Sequence, residues 1–156
     1  MRFFKFLLFF LSFSSQTYSN GNENLDQNYV AKYTDLAHSL ATEFGIPYAV
    51  IMSVAIIESG SGTSKVARKL NNHFGIVGSN KVKWSRFKQY ETVEDSFRDF
   101  CVKLTTKRFY IRLKGNDDHK KWIREISKTG YSSHPKRWRV MLYKAIKTNH
   151  LLVKTA

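Results

Sequence analysis

The feature that most restricts what this chain can fold into is a short stretch with no polar side to offer solvent. Ala49 to Ile57 reads Ala-Val-Ile-Met-Ser-Val-Ala-Ile-Ile, so a helix there is apolar all round its cylinder. Such a helix has to be wrapped by other elements on most of its sides. Pro47 suits its first turn and Gly45 can end the helix before it. The stretch is far short of the roughly 20 apolar residues that cross a bilayer, and Ser53 interrupts it, so it is read as the central helix of a globular core.

The rest of the chain supplies the wrapping. Val30, Tyr33, Ala37, Leu40 and Phe44 share one helical face, predicting a helix from Tyr29. Ser64 to Leu70 suits a short helix. Thr92-Val93-Glu94-Asp95 is a capping sequence, and Phe97, Phe100, Cys101 and Leu104 follow as a buried stripe. A further helix starting at Asp117 or Asp118 carries Trp122, Ile123 and Ile126. The last starts at Pro135 and buries Trp138, Met141, Leu142 and Ile146. Between them, Ile76 to Tyr90 alternates weakly around Gly78-Ser79-Asn80, as a small hairpin would. Five or six helices with one hairpin make a single α-rich (α+β) domain. It is expected over residues 29–150, after a loose polar leader at 20–28.

The first residues suggest where the domain works. Arg2 and Lys5 precede the apolar run Phe6 to Leu11, and a polar stretch ends in the small residues Thr17 and Ser19. This is the layout of a secretory signal peptide over 1–19, with cleavage expected near Ser19. The reading implies export to the periplasm, envelope or exterior, with no stable membrane insertion after cleavage. The lone cysteine, Cys101, excludes an internal disulfide and sits at core spacing, against a cysteine nucleophile. A net charge of +14 on a chain that is 42% hydrophobic indicates a folded cation seeking an anionic partner.

One residue breaks the local pattern. Glu58 follows Ile56-Ile57 at the end of the most apolar helix, just before Ser59-Gly60-Ser61-Gly62. Apolar surroundings and the negative end of a helix both disfavour a carboxylate anion and raise its pKa. An acid still protonated at neutral pH is what cleavage of a glycosidic bond requires. A solvent-facing helix end is the plainer alternative, and pattern alone leaves the two about equal.

The segment Ala55-Ile56-Ile57-Glu58-Ser59-Gly60-Ser61-Gly62-Thr63-Ser64, then Asn71-Asn72-His73-Phe74-Gly75-Ile76, resembles the glucosaminidase domain of glycoside hydrolase family 73. Phe87 to Tyr90 leading into Glu94-Asp95-Ser96, and Gly130-Tyr131 before Pro135, match further motifs in order, so the resemblance spans roughly residues 30 to 148. It implies a lysozyme-like helical lobe with a small β-hairpin lobe and a substrate groove between them. It also implies hydrolysis of peptidoglycan glycan strands after N-acetylglucosamine. By the same resemblance Glu58 takes the place of the general acid and Tyr131 that of a cleft tyrosine, while Asn72 and Phe74 shape the groove floor. One departure stands out: many relatives carry a second acidic residue in the hairpin lobe, and here no Asp or Glu occurs from Ser59 to Tyr90. Either the substrate's acetamido group assists, or the chain is a cationic wall-binding protein with a weak or inactive groove. A lytic transglycosylase shares the single-glutamate logic.

Other signals are weaker. Gly60 to Lys65 lacks Walker spacing and follows a helix. His73 and His134 come without a metal-ligand cluster, so His73 is placed in the groove or core and no metal or cofactor is expected. Trp84, Tyr90, Tyr110 and Tyr131 offer rings for stacking on sugars, whereas Trp122 and Trp138 are read as packing. Lys136, Arg137 and Arg139 around Trp138 match no nucleic-acid reader. The expected partner is peptidoglycan, bound by a monomer.

Overall fold

A computed structural model of the protein describes residues 21–152, with side chains from Asn24 onward. The expected signal segment and its cleavage point lie outside the described residues. Among the described residues there are seven helices: α1 (Gly21–Phe44), α2 (Tyr48–Ser59), α3 (Lys65–Leu70), α4 (Val93–Thr105), α5 (Tyr110–Leu113), α6 (His119–Ser127) and α7 (Pro135–Thr148).

The apolar segment is the hub. In α2, Val50, Ile51, Met52, Ser53, Val54 and Ala55 are all fully buried, and α1, α4, α6 and α7 pack around it. Ser53 avoids an unpaired hydroxyl by donating to the carbonyl of Val50 at 3.3 Å. The surrounding helices are amphipathic, as their periodicity requires, and their ends follow the sequence signals. Thr92 and Asp95 close a reciprocal capping box on α4. Asp118 accepts from the amides of Lys120 and Lys121 at the start of α6, and Pro135 opens α7. Ser64 caps α3 through the amide of Ala67. Short α5, only four residues long, carries no periodic apolar pattern that would predict it.

Three expectations are corrected. Helix α1 begins at Gly21 rather than Tyr29, so residues 21–28 are not a loose leader. Polar composition hides this, and tertiary contacts of Asp26 and Tyr29 override the weak local propensity. Met141 is 40% exposed rather than buried, because Trp138, Leu142, Ala145 and Ile146 fill the inward face of α7.

The β-hairpin lobe does not form. Among the described residues the segment between α3 and α4 has a single antiparallel bridge, Val77 to Phe87. Backbone bonds from Gly78 to Arg86 and from Lys88 to Ile76 form that bridge, but asparagine side chains take up neighbouring carbonyls and no ladder continues from it. Asn80 Nδ2 donates to Ser85 and Phe87, and Asn72 Nδ2 donates to Ile76 and Lys88. Amides at Val82 and Phe87 likewise turn to the side chains of Asn80 and Ser85. Short Asn and Ser side chains that compete for backbone groups favour such turns over strands.

Candidate active site

Helix α2 ends in a tight reversal. Gly60, Ser61 and Gly62 all have positive φ, at 57°, 52° and 78°, and the amides of Gly60 and Ser61 both return to the carbonyl of Ile56. Two glycines adopt this backbone at little cost, while Ser61 carries the strain of a side chain there. Ser59 ties the reversal together: its hydroxyl donates to the carbonyl of Ala55 at 2.6 Å and accepts from the amide of Gly62 at 2.8 Å. The turn thereby stops the helix one residue after Glu58 and sets the direction in which that side chain leaves it.

Glu58 is half-buried. Its Oε1 accepts from the indole N–H of Trp138 at 2.7 Å. A methyl group at Gly75 would lie 3.6 Å from Oε2, so the glycine leaves the face beside that oxygen bare. Burial pushes the carboxyl up to about 7, and the Trp138 bond, which favours the anion, holds it back only in part. Near neutral pH the group is thus divided between acid and base forms.

An aromatic bed lies beneath. Phe74 stacks on Phe100 at 4.4 Å and meets Phe97 edge-on at 4.8 Å. Tyr131 packs against Phe100 at 6.1 Å and Trp138 at 5.1 Å, and its hydroxyl donates to the carbonyl of Phe74 at 2.7 Å. Burial, the neighbouring Glu58 and Tyr90 all keep that phenol protonated, far above its ordinary range. Asn72 shapes the loop from within: its Oδ1 accepts from the amides of Phe74 and Ile76 while its amide reaches two carbonyls.

The structure therefore brings Glu58, Tyr131, Phe74 and the Asn72 loop together, but sorts the sequence candidates by depth. Asn72, His73 and Phe74 are buried at 1%, 3% and 0% exposure, beneath the surface rather than on it. Tyr90 is also buried, with its hydroxyl donating to Asp99 at 2.6 Å. Tyr110 is buried in the core, bonded to the carbonyl of Phe44. Of the rings offered for stacking, Tyr90, Tyr110 and Tyr131 are buried and present no open face to a sugar. Trp84 is 46% exposed, and Lys65 lies 4.2 Å from its ring centroid. Trp138, read from the sequence as packing alone, is buried and also touches the carboxylate. The signal available was general: a buried indole N–H needs an acceptor.

A second carboxylate differs sharply. Asp99 on α4 accepts from Lys88 at 2.7 Å and from the Tyr90 hydroxyl, and Lys103 stands 3.8 Å away. Among the described residues no group of three or more His, Cys, Asp and Glu is placed to hold a metal ion. No described helix is long and apolar enough to cross a membrane.

Comparison with known proteins bears on family and fold. Residues 34–151 match the glucosaminidase family, described as mannosyl-glycoprotein endo-beta-N-acetylglucosaminidase. Protein bax of Escherichia coli K12 is 29% identical over 124 residues, covering 69% of this chain and 44% of its own length, so the chain spans less than half of that relative. The catalytic domain of the autolysin Auto from Listeria monocytogenes superposes with a TM-score of 0.68 at 17% identity, covering 90% of this chain and 89% of that one. A type VI secretion effector–immunity complex from Pseudomonas protegens contains a chain with a TM-score of 0.62 at 17% identity, covering 81% and 94%. At that identity the two structures speak for the fold.

Proposed function

We propose that this chain, which belongs to the glucosaminidase family, is an exported peptidoglycan hydrolase that cleaves the glycan strand after N-acetylglucosamine, with Glu58 as its general acid. The observation that carries the reading is the carboxyl of Glu58, raised to about 7 by burial and held by Trp138 at 2.7 Å. With Oε1 engaged by the indole, the proton belongs on Oε2, beside Gly75, where it can pass to the leaving glycosidic oxygen. Tyr131, buried and bonded to the Phe74 carbonyl, acts from beneath by holding the loop that carries Gly75 against the reacting sugar. Asn72 and Phe74 act by shaping that loop, and Trp84 offers an exposed ring for a more distant sugar.

The nucleophile is assigned to the substrate: its acetamido oxygen attacks C1 as Glu58 protonates the leaving oxygen, and the Glu58 carboxylate then takes a proton from the water that opens the cyclic intermediate. No acidic residue lies between Ser59 and Tyr90, and the acetamido group of N-acetylglucosamine supplies an internal nucleophile in some glycosidases. Seven Lys and Arg in the same span give the region a charge suited to a polymer that bears carboxylates. Export rests on Arg2, Lys5 and the apolar run that follows them.

Mass spectrometry of the soluble products from purified peptidoglycan tests the assignment. Reducing N-acetylglucosamine ends are expected. Anhydro-muramyl ends would instead make the protein a lytic transglycosylase, and binding without any released product would make it a cationic wall-binding protein.

A further inference from the structure

We infer that the first turns of α1, upstream of the residues that match the family, are a clasp that positions Glu58 by gripping the two segments that meet at its carboxylate. The inference rests on the reading of Glu58 as the general acid. Asp26, Tyr29 and Tyr33 follow one another at helical spacing on one face of α1, and the family match begins only at residue 34.

The first segment is the turn after Glu58. Asp26 Oδ1 accepts a hydrogen bond from the Ser61 hydroxyl. Ser61 is the non-glycine residue at positive φ in that turn, so Asp26 anchors the position whose backbone is least content to stay. The Tyr29 ring fills the space over Gly62: a methyl group there would come within 3.1 Å of its Cε2 and 3.5 Å of His73 Cε1. Ser59, the residue next to Glu58, is tied to that same glycine by accepting from the Gly62 amide at 2.8 Å.

The second segment is the loop that carries Gly75. The Tyr29 hydroxyl lies 2.5 Å from His73 Nδ1, with both side chains buried and their rings stacked at 5.6 Å and 19°. Tyr33 closes the set, 4.7 Å from the Tyr29 ring and 5.6 Å from His73. His73 is two residues before Gly75, which faces Oε2 of Glu58. One helix face thus fixes both the stem of the acid and the backbone opposite it. Burial and nearby Lys32 hold His73 down to about 4, so the pair stays a neutral hydrogen bond over the ordinary working range. Asp26 and Tyr29 are positioning residues, since their contacts are to the turn and loop and not to a reacting group.

The test compares the full mature chain with Tyr29→Phe, Asp26→Ala and Asp26→Asn. It measures kcat and KM on peptidoglycan, follows Glu58 by carbon NMR of its carboxyl, and checks the fold by circular dichroism. Small displacements of a catalytic group cost one to two orders of magnitude, so Tyr29→Phe and Asp26→Ala should lower kcat about tenfold or more with KM little changed. Both should shift the Glu58 titration away from its wild-type midpoint. Asp26→Asn keeps an oxygen acceptor and should restore most of kcat. If Tyr29→Phe fails to fold, Asp26→Ala, at a half-buried position near the start of α1, still decides. Folded variants with wild-type kcat and an unchanged Glu58 titration overturn the clasp. If the wild type itself releases no product, the hydrolase reading fails, and the carboxyl titration alone decides the clasp: a shift in the variants upholds it, no shift overturns it.

Discussion

Glu58 and Asp99 are both partly buried carboxylates, yet their surroundings drive them in opposite directions. At Glu58, burial dominates, the hydrogen-bond partner is an uncharged indole, and the acid rises to about 7. At Asp99, burial also pushes upward, but Lys88, the Tyr90 hydroxyl and Lys103 outweigh it and hold the group below its ordinary value. Desolvation alone therefore does not make a proton donor; desolvation without a cation does. The contrast shows what the basic segment from Lys81 to Lys88 contributes near the site. Lys88 pairs with Asp99, so burial raises Glu58 with no cation to hold its anion.

The largest expected effect comes from removing the acid. Glu58→Gln should cost about 10²- to 10⁴-fold in kcat, the range for general-acid groups, with circular dichroism and sedimentation with cell wall unchanged. Muropeptide release measures it, and substantial retained turnover would show that the isolated carboxylate is not the chemistry.

Trp138→Phe should come next. It deletes the N–H that favours the anion, so the alkaline limb of the activity profile should move above its wild-type position near 7. The loss of a buried indole should also cost about 1–3 kcal/mol on denaturation. An alkaline limb that stays in place would mean the indole bond does not govern the acid.

The two carboxylates should also pull stability in opposite senses with pH. Glu58 has a folded value raised from 4.5 to about 7. Its contribution is complete below 4.5 and is lost as pH rises through about 7. Asp99 has a folded value held below 3.8, so its contribution is present above that pH and is lost as pH falls through the depressed value. Thermal melts of wild type against Glu58→Gln should therefore converge near pH 4 and diverge in favour of the glutamine variant by pH 8. Parallel curves across that range would remove the basis for a raised acid.

The smallest effect belongs to the other carboxylate. Lys88 is 39% exposed in its side chain, and such pairs are worth about 1 kcal/mol or less. Lys88→Met should lower stability by no more than that at pH 7 and leave the alkaline limb of activity where it is. A shifted limb would show that the two regions are coupled and not merely different.

Some of this was legible in order along the chain. The all-round apolar character of Ala49 to Ile57 required a wrapped helix, and it placed Glu58 at the end of that helix beside glycines able to turn back. Caps at Thr92 and Asp118, and Pro135 at the start of the last helix, mark boundaries by local chemistry and appear as read. Residues 21–28 were misread because their helix is held by side chains far away in sequence, Ser61 and His73. The segment from Ile76 to Tyr90 was misread as a hairpin because alternation records which residues face inward. It does not record that Asn72 and Asn80 would claim the carbonyls a ladder needs.

By itself, the sequence determined the apolar hub, the helix ends and the presence of one acid among hydrophobic residues, because each depends on neighbours within a few turns. Which groups meet that acid depended on contacts across long separations. Trp138 lies 80 residues from Glu58 in the chain and bonds it directly, while Lys88, closer in sequence, turns instead to Asp99. Charge content is a property of the chain, but electrostatic environment is a property of distances, and those are set only when α7 and α4 pack against α2.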